Sequence, residues 1–215
     1  EQEGLEAALK PFEDETGIDI RYESVPDFTT VIKLNAESGS SPDIGLFPQP
    51  GVLFELAEAG YIQPIDTFLD YDAINRTLVP GILDSARLNG RTFGAPFRMA
   101  LKSLVFYPKK AYESAGYNTA PESLQEMDQI AQQIKQDGAS PWCMGWQDAA
   151  NTGWVGTDWI EELVLRMHGP DVYDEWVNHD IPFDDERIVA TLERFQQMML
   201  AGDNTYGGAR GILNT

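Results

Sequence analysis

The sequence predicts an α/β protein made of two successive stretches. Two observations carry this. Between residues 4 and 59, segments with helical apolar spacing alternate with short runs of β-branched and aromatic residues. That order, helix, strand, helix, strand, helix, is the pattern of a parallel sheet with crossover helices. The alternation then resumes from Leu101, and the junction near residues 97–107 lacks the Gly/Ser richness of a flexible linker.

The elements follow in order. Leu5, Ala8, Leu9 and Phe12 form one face of a helix over 4–15, which Pro11 is expected to kink or end. Gly17 stops it, and Ile18, Ile20 and Tyr22 alternate as a strand. Asp27 is placed to cap a second helix that buries Phe28, Val31, Ile32 and Leu34. After a small-residue loop over 38–42, residues 43–47 read as a short buried strand, and a helix over 51–59 stops at Gly60. Since the chain starts on a helix, a strand ahead of it is expected to be missing. Residues 72–87 read as a helix interrupted at Pro80-Gly81, Asn89-Gly90 as a turn and 91–96 as an extended piece. A strong strand is expected over Leu101 to Tyr107, then a helix whose first residue is Pro108 and which ends at Gly116. Ser123 and Glu126 form a capping box for a helix to Asp137, closed by Gly138. Residues 142–146 read as a short strand. Helices follow near 157–168, 171–178 and 185–201, and the tail from Asp203 reads as loop.

Composition removes several function classes. Thirty-five acidic residues face fifteen basic ones, a formal charge of -20. Nucleic acids and anionic membrane surfaces both need basic patches, so neither is an expected partner. Cys143 is the sole cysteine, which rules out an internal disulfide, and His168 and His179 lack metal-ligand spacing. No cofactor is expected, and no apolar run approaches the roughly 20 residues of a membrane span.

The candidate site lies in the run WCMGWQDAANTGWVGTDW, residues 142–159, which holds four of the five tryptophans. Rings alternate there with Gln147, Asp148, Asn151, Thr152, Thr157 and Asp158. Flat rings among amides, hydroxyls and carboxylates suit a small polar molecule with apolar faces, and a sugar is the obvious one. Trp142 is expected to point into a sheet. Trp146, Trp154 and Trp159 are expected to face ligand, because Gly145, Gly153 and Gly156 open the backbone around them. Thr157 and Asp158 serve equally as helix caps or ligand contacts. Phe47, Gln49 and Pro50 occupy a strand exit, where open α/β sheets bind ligands, although a rigid turn explains them as well. Arg98 and Lys102 lie near the junction, where either a sugar or a structural ion pair would use them. Asp148 and Asp158 also admit a glycosidase reading, which needs two carboxylates at a set separation.

Several longer segments carry a resemblance. PFEDETGIDIRYESV, SPDIGLFPQPGVLFELAEAGYIQPID and NGRTFGAPFRMALKSLVFYPKKAYESAGY resemble family 1 extracellular solute-binding proteins of ABC transporters, the group of the maltose-binding protein. WVGTDWIEELVLRMHGPDVYDEWVNHDIPF and GGARGILNT look most like its α-glucoside-binding branch. The resemblance implies a type II periplasmic-binding-protein fold, with two α/β lobes joined by crossing hinge strands. Here the first strand and the C-terminal half would be missing. The implied division is a partial N-terminal lobe over 1–100, a crossing strand over 101–107 and a partial C-terminal lobe over 108–215.

Such a protein closes on a di- or oligosaccharide between its lobes and delivers it to a membrane permease. It is monomeric, periplasmic or extracellular, either free or lipid-anchored, and not an enzyme. Carried over by position, its contacts are Phe47, Gln49, Pro50, Arg98, Lys102, Trp146, Gln147, Asp148, Trp154, Thr157, Asp158 and Trp159. Glu1 and Gln2 would lie beside the ligand loop. Two other readings stand: a carbohydrate-active enzyme using Asp148 or Asp158, and a binder of polyamines or other cations with the same fold.

Overall fold

The computed structural model describes residues 2–102, 104–148 and 151–214. Glu1 and Thr215, at the two ends of the expected lobes, lie outside the described residues, as does Ser103 within the expected crossing strand. The chain divides into two compact units, Glu1–Met99 and Ala100–Thr215.

In the first unit, α1 (Gln2–Thr16) runs through Pro11, so the helix does not end there. The missing N–H at Pro11 would have bonded the Ala7 carbonyl, and Ala7 is exposed, so that carbonyl is open to solvent and the helix tolerates the loss. No residue of α1 is buried. Helix α2 (Phe28–Ser38) starts where expected, with Asp27 accepting the Thr30 N–H at 3.2 Å. Helix α3 (Pro50–Glu58) packs on it. Ile32 and Ala36 meet Val52 and Leu56, with Phe28, Phe47 and Ile62 closing the edges of this cluster. Lys33 and Glu55 bridge the two helices at 2.6 Å. Leu34, expected inside, is 58% exposed.

The expected helix over 72–87 is reduced to α4 (Tyr71–Asn75) and a 3-10 turn, Leu83–Ala86. The helix thus ends five residues before Pro80. Strands β1 (Arg87–Leu88) and β2 (Arg91–Thr92) form an antiparallel hairpin. Asn89 and Gly90 turn it with positive φ of 50° and 78°, the geometry a two-residue hairpin needs. Asp66 holds this hairpin: it accepts from Arg91 Nη2 at 2.9 Å, from Nε at 3.1 Å and from the buried Thr92 N–H at 3.3 Å. The Arg91 hydrogen bond keeps the Asp66 carboxyl below its usual range.

The second unit is a helix pack. Helix α5 (Lys109–Ala115) starts one residue later than expected, with Pro108 in the cap position rather than the first helical one. Helix α6 (Leu124–Gln136) carries the expected cap, Ser123 accepting the Glu126 N–H at 3.2 Å. Glu126 reaches back to the Glu122 N–H at 2.9 Å rather than to that of Ser123. Helix α7 (Trp154–His168) packs on α8 (Pro170–Val177) and α9 (Glu186–Phe195). The end of α9 widens into a π-helical turn, Gln196–Leu200. Leu163, Phe195, Met198 and Met199 form the core. Val164, Ile188 and Thr191 are completely enclosed. Arg194 ties α9 to α6 through both Asp128 carboxylate oxygens, each at 2.8 Å.

The tail is not loop. Helix α10 (Gly208–Leu213) forms there and buries Ile212. The Trp142 N–H donates to Asn204 O at 2.9 Å and the Tyr206 N–H to Trp142 O at 2.8 Å, which makes one parallel bridge. That bridge is all that forms of the strand expected over 142–146. The strands expected over 18–22, 43–47 and 101–107 are absent among the described residues. Many of their apolar residues are outside: Ile18 is exposed, as are Ile44, Leu46, Leu101 and Phe106. Alternation marks a chain that can join a sheet, but a strand exists only where a second chain segment completes its ladder.

Candidate functional site

The site is built on the first turns of α7. Gly153 caps the helix at φ 103°, in the left-handed region that favours glycine. Its N–H donates to Trp146 O at 3.1 Å, and its carbonyl accepts the Thr157 N–H at 3.2 Å. The chain entering α7 is thereby fixed to the residue that precedes Gln147 and Asp148. Trp154 and Asp158 are four residues apart on the helix and so share a face.

Lys102 covers that face. Its Nζ lies 2.7 Å from Asp158 Oδ2 and 4.8 Å from the centroid of the Trp154 ring. One ammonium thus makes an ion pair and a cation–π contact together. Trp154 is 47% exposed, whereas the other four tryptophans are all half-buried. Thr157, Gln147 and Asp148 are exposed, and the Asp148 N–H donates to Thr152 Oγ1 at 3.1 Å.

The other tryptophans of the run point inward. Trp146 stacks on Phe195, centroids 6.0 Å apart and planes 17° apart. Trp142, expected to face a sheet, meets Trp159 edge-on at 5.5 Å. All three rings pack against the Leu163, Phe195, Met198 and Met199 core. Gly156 is what lets Trp146 in: a Cβ there would sit 2.8 Å from the ring. The glycine expected to open the backbone toward a ligand instead receives a neighbouring indole.

In the first unit, Phe47 meets Phe28 edge-on at 5.3 Å. Gln49 caps α3, its Oε1 accepting the Gly51 N–H at 2.7 Å, and Pro50 is the first helical residue. These are the local duties of a turn that starts a helix. Arg98 is exposed.

The structure therefore gathers Lys102, Trp154 and Asp158 into one group. The four-residue spacing on α7 was readable in the sequence. The approach of Lys102, fifty-six residues earlier, was not. A separate recess of about 460 Å³ lies in the first unit, between α1 and the segment through Ile20 and Tyr22. It contains none of the expected contacts. No group of three or more His, Cys, Asp or Glu is placed to hold a metal ion among the described residues.

Comparison with known proteins gives the family and the fold. The model of the bacterial extracellular solute-binding protein family matches residues 1–211. The osmoprotective compounds-binding protein of Synechocystis sp. is 37% identical over 215 residues, all of this chain and 51% of that protein. The alpha-glucosides-binding periplasmic protein of Rhizobium meliloti is 32% identical over 210 residues, 95% of this chain and 46% of that protein. The chain thus spans about half the length of the curated relatives it matches. A solved chitin oligosaccharide binding protein superposes with a TM-score of 0.76 at 18% identity, over 97% of this chain and 51% of that one. The fold is that of the type II periplasmic sugar-binding proteins.

Proposed function

The chain belongs to the bacterial extracellular solute-binding protein family, and on that premise we propose that it is the sugar-binding component of an ABC importer. Its ligand is an α-glucoside or a related di- or oligosaccharide, and its partner is the membrane permease. It works in the periplasm or outside the cell, by binding and without turnover. Relatives that bind osmoprotective compounds and α-glucosides support this reading.

The observation that carries it is the exposed Trp154 ring with the Asp158 carboxylate one helical turn on. A pyranose has a C–H face that packs on an indole and an equatorial rim of hydroxyls that donate to a carboxylate. Thr157, Gln147 and Asp148, all exposed, are proposed to offer further polar atoms to the sugar. Phe47, Gln49, Pro50 and Arg98 are the proposed contacts from the first unit. Trp146 and Trp159 contribute only through the edges their packing leaves exposed.

A thermal-shift screen of maltose, trehalose and raffinose against putrescine and spermidine tests the ligand class. Stabilisation by a sugar and not by a polyamine is expected, and the reverse overturns the sugar reading. Calorimetry of Trp154→Ala then tests the contact, with an expected loss of about tenfold in affinity. Wild-type affinity in that variant removes Trp154 from the site. Release of glucose from maltose or trehalose would instead favour an enzyme.

A further inference from the structure

We propose that Lys102 is a built-in occupant of the Trp154–Asp158 subsite, which a sugar must displace, and that this displacement makes affinity depend on salt. The inference rests on the reading of Trp154 and Asp158 as sugar contacts.

The geometry leaves one place for both. Lys102 Nζ reaches Asp158 Oδ2 at 2.7 Å and the Trp154 centroid at 4.8 Å from a single position. The carboxylate and the covered ring face are therefore on the same side. A sugar that stacks on that face and donates a hydroxyl to that carboxylate needs the space the ammonium fills. The ammonium also satisfies both groups in the way a ligand does, with positive charge on the ring face and an N–H donor on the carboxylate.

Displacement is affordable because the contacts are weak where they stand. The Lys102 side chain is 60% exposed and that of Asp158 37%. Exposed ion pairs and exposed cation–π contacts each contribute little, and water resolvates a released ammonium. Lys102 itself lies in no helix or strand. The side chain swings aside without unmaking an element of structure.

Salt enters through screening. The Debye length falls from about 10 Å at 0.1 M to about 3 Å at 1 M ionic strength, which weakens an exposed ion pair. A neutral sugar gains no such penalty. Raising salt therefore lowers the cost of moving Lys102 and tightens sugar binding.

The test is calorimetric titration of the full-length protein with maltose, trehalose and raffinose at 0.1 M and 1 M sodium chloride. Wild type, K102M, K102R and W154A are compared. The wild type is expected to bind its best sugar about two- to threefold tighter at 1 M salt. K102M keeps the stem and loses the charge, so it should bind about three- to tenfold tighter than wild type at 0.1 M and respond little to salt. K102R should follow the wild type. Binding by K102M that is unchanged or weaker overturns the proposal, and weaker binding makes Lys102 a ligand contact. A K102M variant that keeps the wild-type salt response overturns it as well. Failure of every sugar to bind overturns the functional reading and the inference with it, whereas W154A binding like wild type removes Trp154 from the site and overturns the inference alone.

Discussion

In residues 100–215 the helices close on one another. Helix α7 lies against α8 and α9, and Leu163, Val164, Ile188 and Met199 are sealed from solvent. Among the described residues of 1–99, only Leu83 and Thr92 are sealed to that degree, and α1 buries nothing. Both regions carry amphipathic helices of similar length. A helix whose apolar stripe meets another helix completes its own core. One whose stripe belongs against a sheet depends on strands, and Ile18, Ile20 and Tyr22 form no ladder among the described residues.

The largest effect expected from this contrast is on core truncation. Leu163→Ala should destabilise the second unit by about 3 kcal/mol, because its enclosed site cannot collapse around the missing atoms. Leu56→Ala, in the thinner α2–α3 cluster, should cost less. Hydrogen exchange resolved by peptide checks both. Loss of protection confined to the mutated unit sharpens the comparison, and equal loss in both units breaks it.

A smaller effect is expected at Gly156. Gly156→Ala places a methyl 2.8 Å from the Trp146 ring, which stacks on Phe195 and has little room to move. A loss of about 2 kcal/mol in denaturant unfolding is expected, with Trp146 fluorescence shifted toward that of an exposed indole. An unchanged midpoint would show that the indole repacks freely.

The smallest is the acid response. Arg187, by its side chain first and then its backbone N–H, lowers the Asp185 carboxyl to about 2 from 3.8. A lowered folded pKa contributes stability above the unfolded value, and this is lost as pH falls from 3.8 toward 2. Asp185→Asn should flatten that part of the acid melting curve in the second unit. Asp66, lowered by Arg91, predicts a loss of the same sign in the first.

Helix starts were legible because their chemistry is local. Asp27 and Ser123, read as caps, each accept an N–H three residues on, a distance any sequence reading spans. Asn89-Gly90 was legible for the same reason. The strands were not, because Ile44 or Leu101 carries no record of whether a distant segment pairs with it. The candidate site divided along the same line. The shared helix face of Trp154 and Asp158 follows from spacing alone. That Trp146 and Trp159 turn inward is decided by Phe195 and Met199, which lie far later in the chain and give no local sign. Lys102 read as a neighbour of Arg98, and its position over Trp154 is a tertiary fact.

The π-helical turn at Gln196–Leu200 has a consequence for how this chain compares with its relatives. A π turn is an α-helix that has absorbed an extra residue. It lets the adjacent Met198 and Met199 both face the core. It also sets the phase of everything downstream, including Thr205, whose hydroxyl donates to Met199 O at 2.6 Å, and Ile212, whose carbonyl accepts the Trp146 N–H at 2.9 Å. A related sequence one residue shorter between Phe195 and Ala201 would thus be a homologue with a regular helix there. An alignment should place its gap inside the helix rather than push it into the following loop.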